Sequence, residues 1–266
     1  LNFAIDRKSY SAQVNGEEGA PYAVRNTFVP PTFVQAGDKS FGDLVEEKVA
    51  ALGDEWKGVK LEDGQDGLYN AEKAKAEFAK AKETLQAQGV NFPIHLDLPV
   101  SQSDKAGIQQ ASSFKQSVES ALGKDNVVVD LQQMSEDDFN NTGYFANSAA
   151  QKDYDLSTSG WTPDYQDPST YLDVFDPTNG GLLQAIGIEP GQNQDVVSAL
   201  GLNDYKALND DANKETSDTS VRYEKYANSQ AWLTDSALYL PTTAYSGAAT
   251  VVSRIQPFSG AYAQAG

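Results

Sequence analysis

The segment Ser157-Thr158-Ser159-Gly160-Trp161-Thr162-Pro163-Asp164-Tyr165-Gln166-Asp167-Pro168 concentrates residue types that can hold a polar ligand. A carboxylate at a partly desolvated site binds an ammonium through a charge-assisted hydrogen bond worth about 1.5–3 kcal/mol, and Asp164 is the candidate for that role. Trp161 offers a broad amphipathic wall against which a ligand side chain can pack. Ser159, Gly160 and Thr162 can present main-chain N–H and C=O groups to an extended ligand backbone, as when a strand is added to a sheet edge. Such bonds ignore ligand side chains, so affinity comes from the main chain while roomy, wet pockets tolerate variety. Between Tyr154 and Pro168 there is no Lys or Arg, hence no local partner for a ligand carboxylate. Both named side chains also have an ordinary structural reading: Asp near Pro is common turn chemistry, and a Trp serves equally well in a core.

Other chemistries find little support. The chain has no cysteine, which excludes disulfides, thiol nucleophiles and thiolate metal sites. His95 is the only histidine, and a lone His cannot build an ordinary zinc site; it reads as a solvated strand residue. Asp63-Gly64-Gln65-Asp66-Gly67 superficially resembles a calcium loop but lacks the alternating oxygen ligands and closing Glu, and reads as a turn. Gly180-Gly181 and Gly187-Ile188-Glu189-Pro190-Gly191 lack the Lys-Ser/Thr of a phosphate loop and follow no strand. No cofactor, metal or catalytic residue is expected. Asp164 and Asp167 leave open an acid-pair hydrolase, which needs a defined carboxylate separation and a pKa difference.

These residues need a scaffold, and the hydrophobic periodicity supplies an α/β alternation. Ala74, Phe78, Ala81 and Leu85 recur at helical spacing between lysines, with Gly89 as the stop. Phe92, Ile94, Leu96 and Leu98 then alternate with Pro93, His95 and Asp97, the period of a strand with one apolar face. Ile108, Ala111, Phe114, Val118 and Ala121 predict a helix over residues 103–122. Val127-Val128-Val129-Asp130-Leu131 is a second strand, Ser135 caps a helix with an acidic first turn, and Tyr154-Asp155-Leu156-Ser157-Thr158 is a third strand. This order implies crossovers and a substantially parallel sheet, whose ligands bind beyond the carboxyl ends of the strands. The Gly160-Trp161 loop follows such an end. On either side the reading is a helix over residues 1–15 ending at Gly16, a mostly irregular stretch over 17–66 with a short helix over 41–52, and helices over 196–200, 204–212 and from 218 or 219 to 234. A final strand, Leu238-Tyr239-Leu240-Pro241, returns toward the start and leads into Tyr245.

Composition bounds the rest. The 266 residues are 39% hydrophobic and 10% aromatic, enough for a packed core, and carry a formal charge of −18. That charge argues against nucleic acid, whose binding depends on Lys and Arg releasing counterions, and against docking on an anionic membrane. No run of about 18 apolar residues occurs, so no spanning helix is expected. The opening Leu1-Asn2-Phe3-Ala4-Ile5-Asp6-Arg7 shows no initiator Met, basic region or cleavage site, and starts as though within a helix, as expected of a piece of a longer protein.

The central loop resembles the Gly-Trp-x-x-Asp-Tyr-x-Asp-Pro segment of the peptide-binding subunits of bacterial ABC importers, extracytoplasmic solute-binding proteins of the peptide/nickel type. Three further places share the resemblance: Ala4-Ile5-Asp6-Arg7-Lys8 is similar to an Ala-x-Asp-Arg helix, Glu72-Lys73-Ala74-Lys75 through Gly89-Val90 to a Lys-Ala-rich helix and its following strand, and Arg222-Tyr223-Glu224-Lys225-Tyr226 with Leu238-Tyr239-Leu240-Pro241 to an Arg-x-x-x-Tyr helix and return strand. The resemblance implies the second lobe of a two-lobed, type II periplasmic-binding-protein-like fold with a mixed, mostly parallel sheet flanked by helices. Residues 1–245 would be the peptide-binding lobe and 246–266 the return segment toward a first lobe. It implies that oligopeptides contact Asp164, Trp161, Thr162, Gly160, Ser159 and Tyr245, with Asp164 on the peptide N-terminus. It further implies a monomer that delivers peptides to an ABC permease, extracytoplasmic and either lipid-anchored on a Gram-positive surface or periplasmic. A peptide-sensing or adhesion lipoprotein of the same fold is the alternative, and the acid-pair hydrolase stands third.

Overall fold

The computed structural model describes residues 1–146 and 148–244; Tyr245 and the expected return segment lie outside the described residues. In chain order the elements are α1 (Arg7–Ala23), the short strands β1 (Gln35–Ala36) and β2 (Lys39–Ser40), α2 (Phe41–Ala50), α3 (Ala71–Ala87), β3 (Ile94–Ser101), α4 (Lys105–Leu122), β4 (Val127–Met134), α5 (Glu136–Thr142), α6 (Ser169–Leu172), α7 (Gln194–Ala199), α8 (Leu202–Lys214) and α9 (Thr219–Ser236). Short polar side chains start the helices where local sequence calls for them. Asn70, Asp104, Ser135 and Asp218 each accept a main-chain N–H from the first turn that follows, satisfying donors that the helix itself leaves orphaned. Ser40 and Asp43 form a reciprocal capping box on α2. The opening differs from expectation: Asp6 accepts the Ser9 N–H at 2.8 Å and starts α1 there rather than at Leu1. Gly16, at φ +68° and ψ 167°, ends the first helical run as expected, and a second run follows it to Ala23.

The β3 and β4 strands pair in parallel, from Ile94 opposite Val127 to Ser101 opposite Met134, with α4 as their connection. Their alternation buries Leu98, Val100, Val127 and Val129 against Ala111, Phe114 and Val118 of α4. Two expected strands do not form. At residues 154–158 the chain meets β3 at one residue only: the Asp155 and Leu156 N–H groups both donate to the Asp97 carbonyl, at 3.1 and 3.0 Å. The Asp97 N–H in turn donates to the Asp155 carboxylate at 2.9 Å. A side chain has replaced the carbonyl that a ladder would use, so pairing stops. At residues 238–241 Pro241 has no N–H to offer a ladder. The return is instead a single antiparallel bridge between Val24 and Thr243, flanked by Arg25 N–H to the Thr242 carbonyl and Ala244 N–H to the Ala23 carbonyl.

The apolar interior forms two clusters that do not divide the chain at its middle. One is built from both ends, with Phe41, Leu44, Val45, Trp56, Leu61 and Leu68 meeting Leu172, Phe175, Leu202, Tyr205, Tyr226 and Leu233. The other is the β3–β4–α4 layer with Ala4, Ile5 and Ala74. Phe3 packs against both.

Arg7 joins the opening of the chain to its return. Its side chain is fully buried, donating from Nε to the Pro241 carbonyl at 2.6 Å and from the Nη atoms to the Asn2 carbonyl at 3.2 Å and Asn2 Oδ1 at 2.5 Å. Asp66 lies 3.5 Å from Nη1 and also accepts the Arg7 main-chain N–H. Burial pulls the guanidinium down to about 10, against the opposing pull of Asp66, so it stays charged at neutral pH. The Asp63-Gly64-Gln65-Asp66-Gly67 segment is a turn clamped by its neighbours. Asn26 Nδ2 donates to the Glu62 and Gln65 carbonyls at 2.9 and 2.7 Å, and Asp66 is committed to Arg7 and to the Tyr69 N–H.

Candidate functional site

The segment singled out by sequence is an exposed loop between the Asp97 junction and α6. Ser159, Gly160 and Thr162 are exposed, and none of their main-chain groups makes a hydrogen bond among the described residues. Trp161 is 44% exposed, so it belongs to the surface rather than to either core. The Asp164 main-chain N–H donates to Thr170 Oγ1 at 2.8 Å, tying that residue to α6. Its carboxylate has no hydrogen-bond or ion-pair partner among the described residues. The loop therefore offers a free carboxylate, free main-chain groups and an exposed indole together, a set suited to a ligand backbone ending in an ammonium. Tyr245, expected beside them, lies outside the described residues.

Asp167, three residues on, has a different fate. It accepts two bonds from the Arg222 fork of α9, Nε to Oδ2 at 2.9 Å and Nη2 to Oδ1 at 3.0 Å, and a third from the Ser169 N–H at 3.0 Å. Burial alone would push its carboxyl up, but Arg222 and Ser169 outweigh burial and hold it below the usual carboxylate range. A general acid needs the opposite shift. Asp167 is therefore an anchor locked on Arg222 rather than a free acid.

Arg222 extends the anchor through the helices. Its Nη1 donates to the Ala212, Asn213 and Glu215 carbonyls at 3.0–3.2 Å, capping the C-terminal end of α8 and the turn just beyond it. Its guanidinium also sits 4.8 Å from the Tyr226 ring centre. The Tyr226 hydroxyl donates a hydrogen bond to Asn213 Oδ1, and Asn213 and Asn209 both donate to Asp173 Oδ1. The sequence marked Arg222 and Tyr226 only as a motif. Their partners lie outside the helix, and nothing local announces an Asp167–Arg222 pair 55 residues apart.

The depressed pKa of Asp167 makes part of the stability acid-sensitive. Its contribution is complete above the ordinary aspartate value of about 3.9 and is lost as the pH falls through the lower folded value. Asp167→Asn should therefore destabilise the chain at pH 7, and that deficit should shrink at pH 3, measured by urea unfolding at both pH values.

His95 places Nδ1 2.6 Å from Asp130 Oδ2 on the exposed face of the β3–β4 pair, in keeping with a solvated strand residue.

Comparison with known proteins places this geometry in context. Residues 1–181 match the bacterial extracellular solute-binding proteins, family 5 Middle. The chain belongs to this family. It is a family of solute-binding proteins rather than enzymes, extracellular by description. Among its relatives, the oligopeptide-binding protein AmiA of Streptococcus pneumoniae is 59% identical over 268 residues, covering 100% of this chain and 40% of that protein. The oligopeptide-binding protein SarA of Streptococcus gordonii is 55% identical over 267 residues, again covering 100% and 40%. The chain thus spans about 40% of the length of these curated relatives. In fold it is similar to the substrate-binding domain of an oligopeptide ABC transporter from Bacillus anthracis, with a TM-score of 0.61 at 20% identity over 91% of this chain and 38% of that one. It is likewise similar to the peptide-binding protein of a peptide ABC transporter, with a TM-score of 0.60 at 18% identity over 91% and 87%. The family fold is therefore the α/β fold of ABC-transporter peptide-binding proteins.

Proposed function

We propose that this chain is the second lobe of an extracytoplasmic receptor that binds oligopeptides and delivers them to an ABC permease. The observation that carries this reading is that the Asp164 carboxylate stands free while its neighbour Asp167 is locked on Arg222, in a chain whose relatives are named oligopeptide-binding proteins. Asp164 takes the peptide's terminal ammonium, Trp161 packs against a ligand side chain, and Ser159, Gly160 and Thr162 pair with the ligand main chain. Tyr245, outside the described residues, is a further candidate contact. Residues 1–245 form the binding lobe, and 246–266 lead back to an opposing lobe that closes over the peptide. The receptor acts as a monomer, held outside the membrane by a lipid anchor or retained in a periplasm, and uses no cofactor.

An ammonium–carboxylate pair open to water is worth only about 0–1 kcal/mol, so this chain alone should bind peptides weakly. In the two-lobed protein Asp164→Asn should weaken peptides with a free N-terminus by about 1.5–3 kcal/mol, the value of one charge-assisted hydrogen bond. N-acetylated versions of the same peptides should bind wild type and variant alike. Calorimetry on both peptide types makes the comparison, and equal losses for both would remove Asp164 as the N-terminal anchor.

A further inference from the structure

Tyr144 and Phe145 are 86% and 58% exposed, far more than large aromatic rings need to be in a chain with two packed cores. They stand as an edge-to-face pair with centroids 5.1 Å apart. The turn that ends α5 sets them there, with Phe145 N–H donating to the Asn140 carbonyl at 2.8 Å and Ala146 N–H to the Gly143 carbonyl at 3.3 Å. With Ala146, Gln184 and Glu189 the two rings line an open concavity of about 490 Å³.

The opposite wall is firmly built. It is a 3₁₀ turn over Leu182–Ile186, pinned where Tyr154 donates to the Ala185 carbonyl at 2.6 Å and Tyr239 to the Leu182 carbonyl. Gly187 follows at φ +78°, so close to the turn at Ala149 that a Cβ there would lie 3.2 Å from the Ala149 Cβ. A side chain there would be both crowded and strained by the positive φ. Glu189 is fixed through its main-chain N–H, which donates to Asn193 Oδ1 at 3.1 Å. Neither the Glu189 carboxylate nor the Gln184 side-chain amide has a partner among the described residues. The nearby cation, Lys152, donates to the Gly143 carbonyl at 3.0 Å and acts on Glu189 only through its charge at longer range, without a direct ion pair.

Two exposed aromatic rings, a carboxylate with no direct hydrogen-bond or ion-pair partner among the described residues and a free amide oxygen around one concavity are complementary to a cation with an apolar stem. We propose that this concavity is a subsite for a basic side chain, arginine or lysine, of the bound peptide. The inference rests on the peptide-binding reading and adds a preference to it. Main-chain pairing at the Ser159–Thr162 loop ignores ligand sequence, whereas Glu189 and the aromatic pair select for charge. Arginine should be favoured over lysine, because its planar guanidinium stacks on rings and forks onto a carboxylate. The chain's formal charge of −18 assists the approach of such ligands.

The test uses single residues blocked at both ends, so that it does not depend on Asp164. N-acetylarginine amide, N-acetyllysine amide and the neutral isostere N-acetylcitrulline amide are titrated into this chain and the Tyr144 and Phe145 ring resonances followed by NMR. A cationic probe should shift both rings with a Kd of order millimolar, about fivefold or more tighter than citrulline. Glu189→Gln should bring arginine to the citrulline level, and Tyr144→Ala should weaken it about threefold. Equal binding of arginine and citrulline, ring shifts indifferent to Glu189→Gln, or no ring shift at about 20 mM probe would each overturn the proposal. None of these outcomes bears on Asp164, whose test compares free and acetylated peptides.

Discussion

Replacing Arg7 with methionine is expected to cost about 3–5 kcal/mol of folding stability, the cost of breaking a buried charge pair by removing one partner. The methionine fills much of the volume, so the loss is electrostatic rather than a cavity. It leaves the Pro241 carbonyl, Asn2 Oδ1 and the Asp66 carboxylate without their buried donor. Burial already raises the pKa of Asp66, and Arg7 is the opposing influence. A carboxyl with a raised folded pKa favours the folded state below its unfolded value and loses that advantage as the pH rises through the folded value. The Arg7→Met deficit should therefore be smaller near pH 4 than at pH 8. Urea unfolding at both pH values measures it, and Asp66→Asn on the Arg7→Met background should recover part of the loss. A deficit below about 1 kcal/mol, the range of an exposed pair, would show that Arg7 does not join opening to return. Because domains of this kind are stable by only about 5–15 kcal/mol, the variant should also be poorly recovered on expression.

Arg222→Met attacks the platform under the loop over residues 159–164. Five acceptors lose the Arg222 donor at once: Asp167, the Ala212, Asn213 and Glu215 carbonyls at and just beyond the end of α8, and the Tyr226 hydroxyl. The expected cost is about 2–4 kcal/mol, below that for a fully buried pair because Arg222 and Asp167 keep 17% and 21% exposure. Arg222→Lys should recover little, since an ammonium cannot fork onto a carboxylate while reaching the carbonyls. Hydrogen exchange should localise the effect, with protection lost at the Ser169 and Thr170 amides and at the end of α8 before the β3–β4 layer changes. Uniform loss across both cores would mean that Arg222 stabilises the chain generally rather than holding the loop.

Most helices were legible in the sequence because their causes are local. A capping residue and a 3.6-residue apolar period lie within one segment. Thus α4 and α9, expected over 103–122 and from 218 or 219 to 234, run Lys105–Leu122 and Thr219–Ser236. The β3–β4 pair was legible for the same reason, since alternation marks one buried face. The strands expected at 154–158 and 238–241 failed for a non-local reason. Whether an apolar alternation becomes a strand depends on which groups the neighbouring backbone presents, and there the Asp155 carboxylate and the Arg7 guanidinium took positions a ladder would have used.

The candidate site divides along the same line. Residue types alone marked Asp164, Trp161 and the Ser159–Thr162 main chain, because a carboxylate, an indole and unpaired amides have the same chemistry wherever they stand. Which acid is free and which is locked could not be read from two aspartates three residues apart. That was decided when α9 brought Arg222 within 3 Å of Asp167 and left Asp164 beyond its reach. The pairing of charges distant in sequence is a property of helix packing, and its energy depends on a burial that only the assembled chain creates. Local sequence thus set most of the helices, the β3–β4 pair and the chemistry on offer. The tertiary structure decided which of those groups remain available to a ligand.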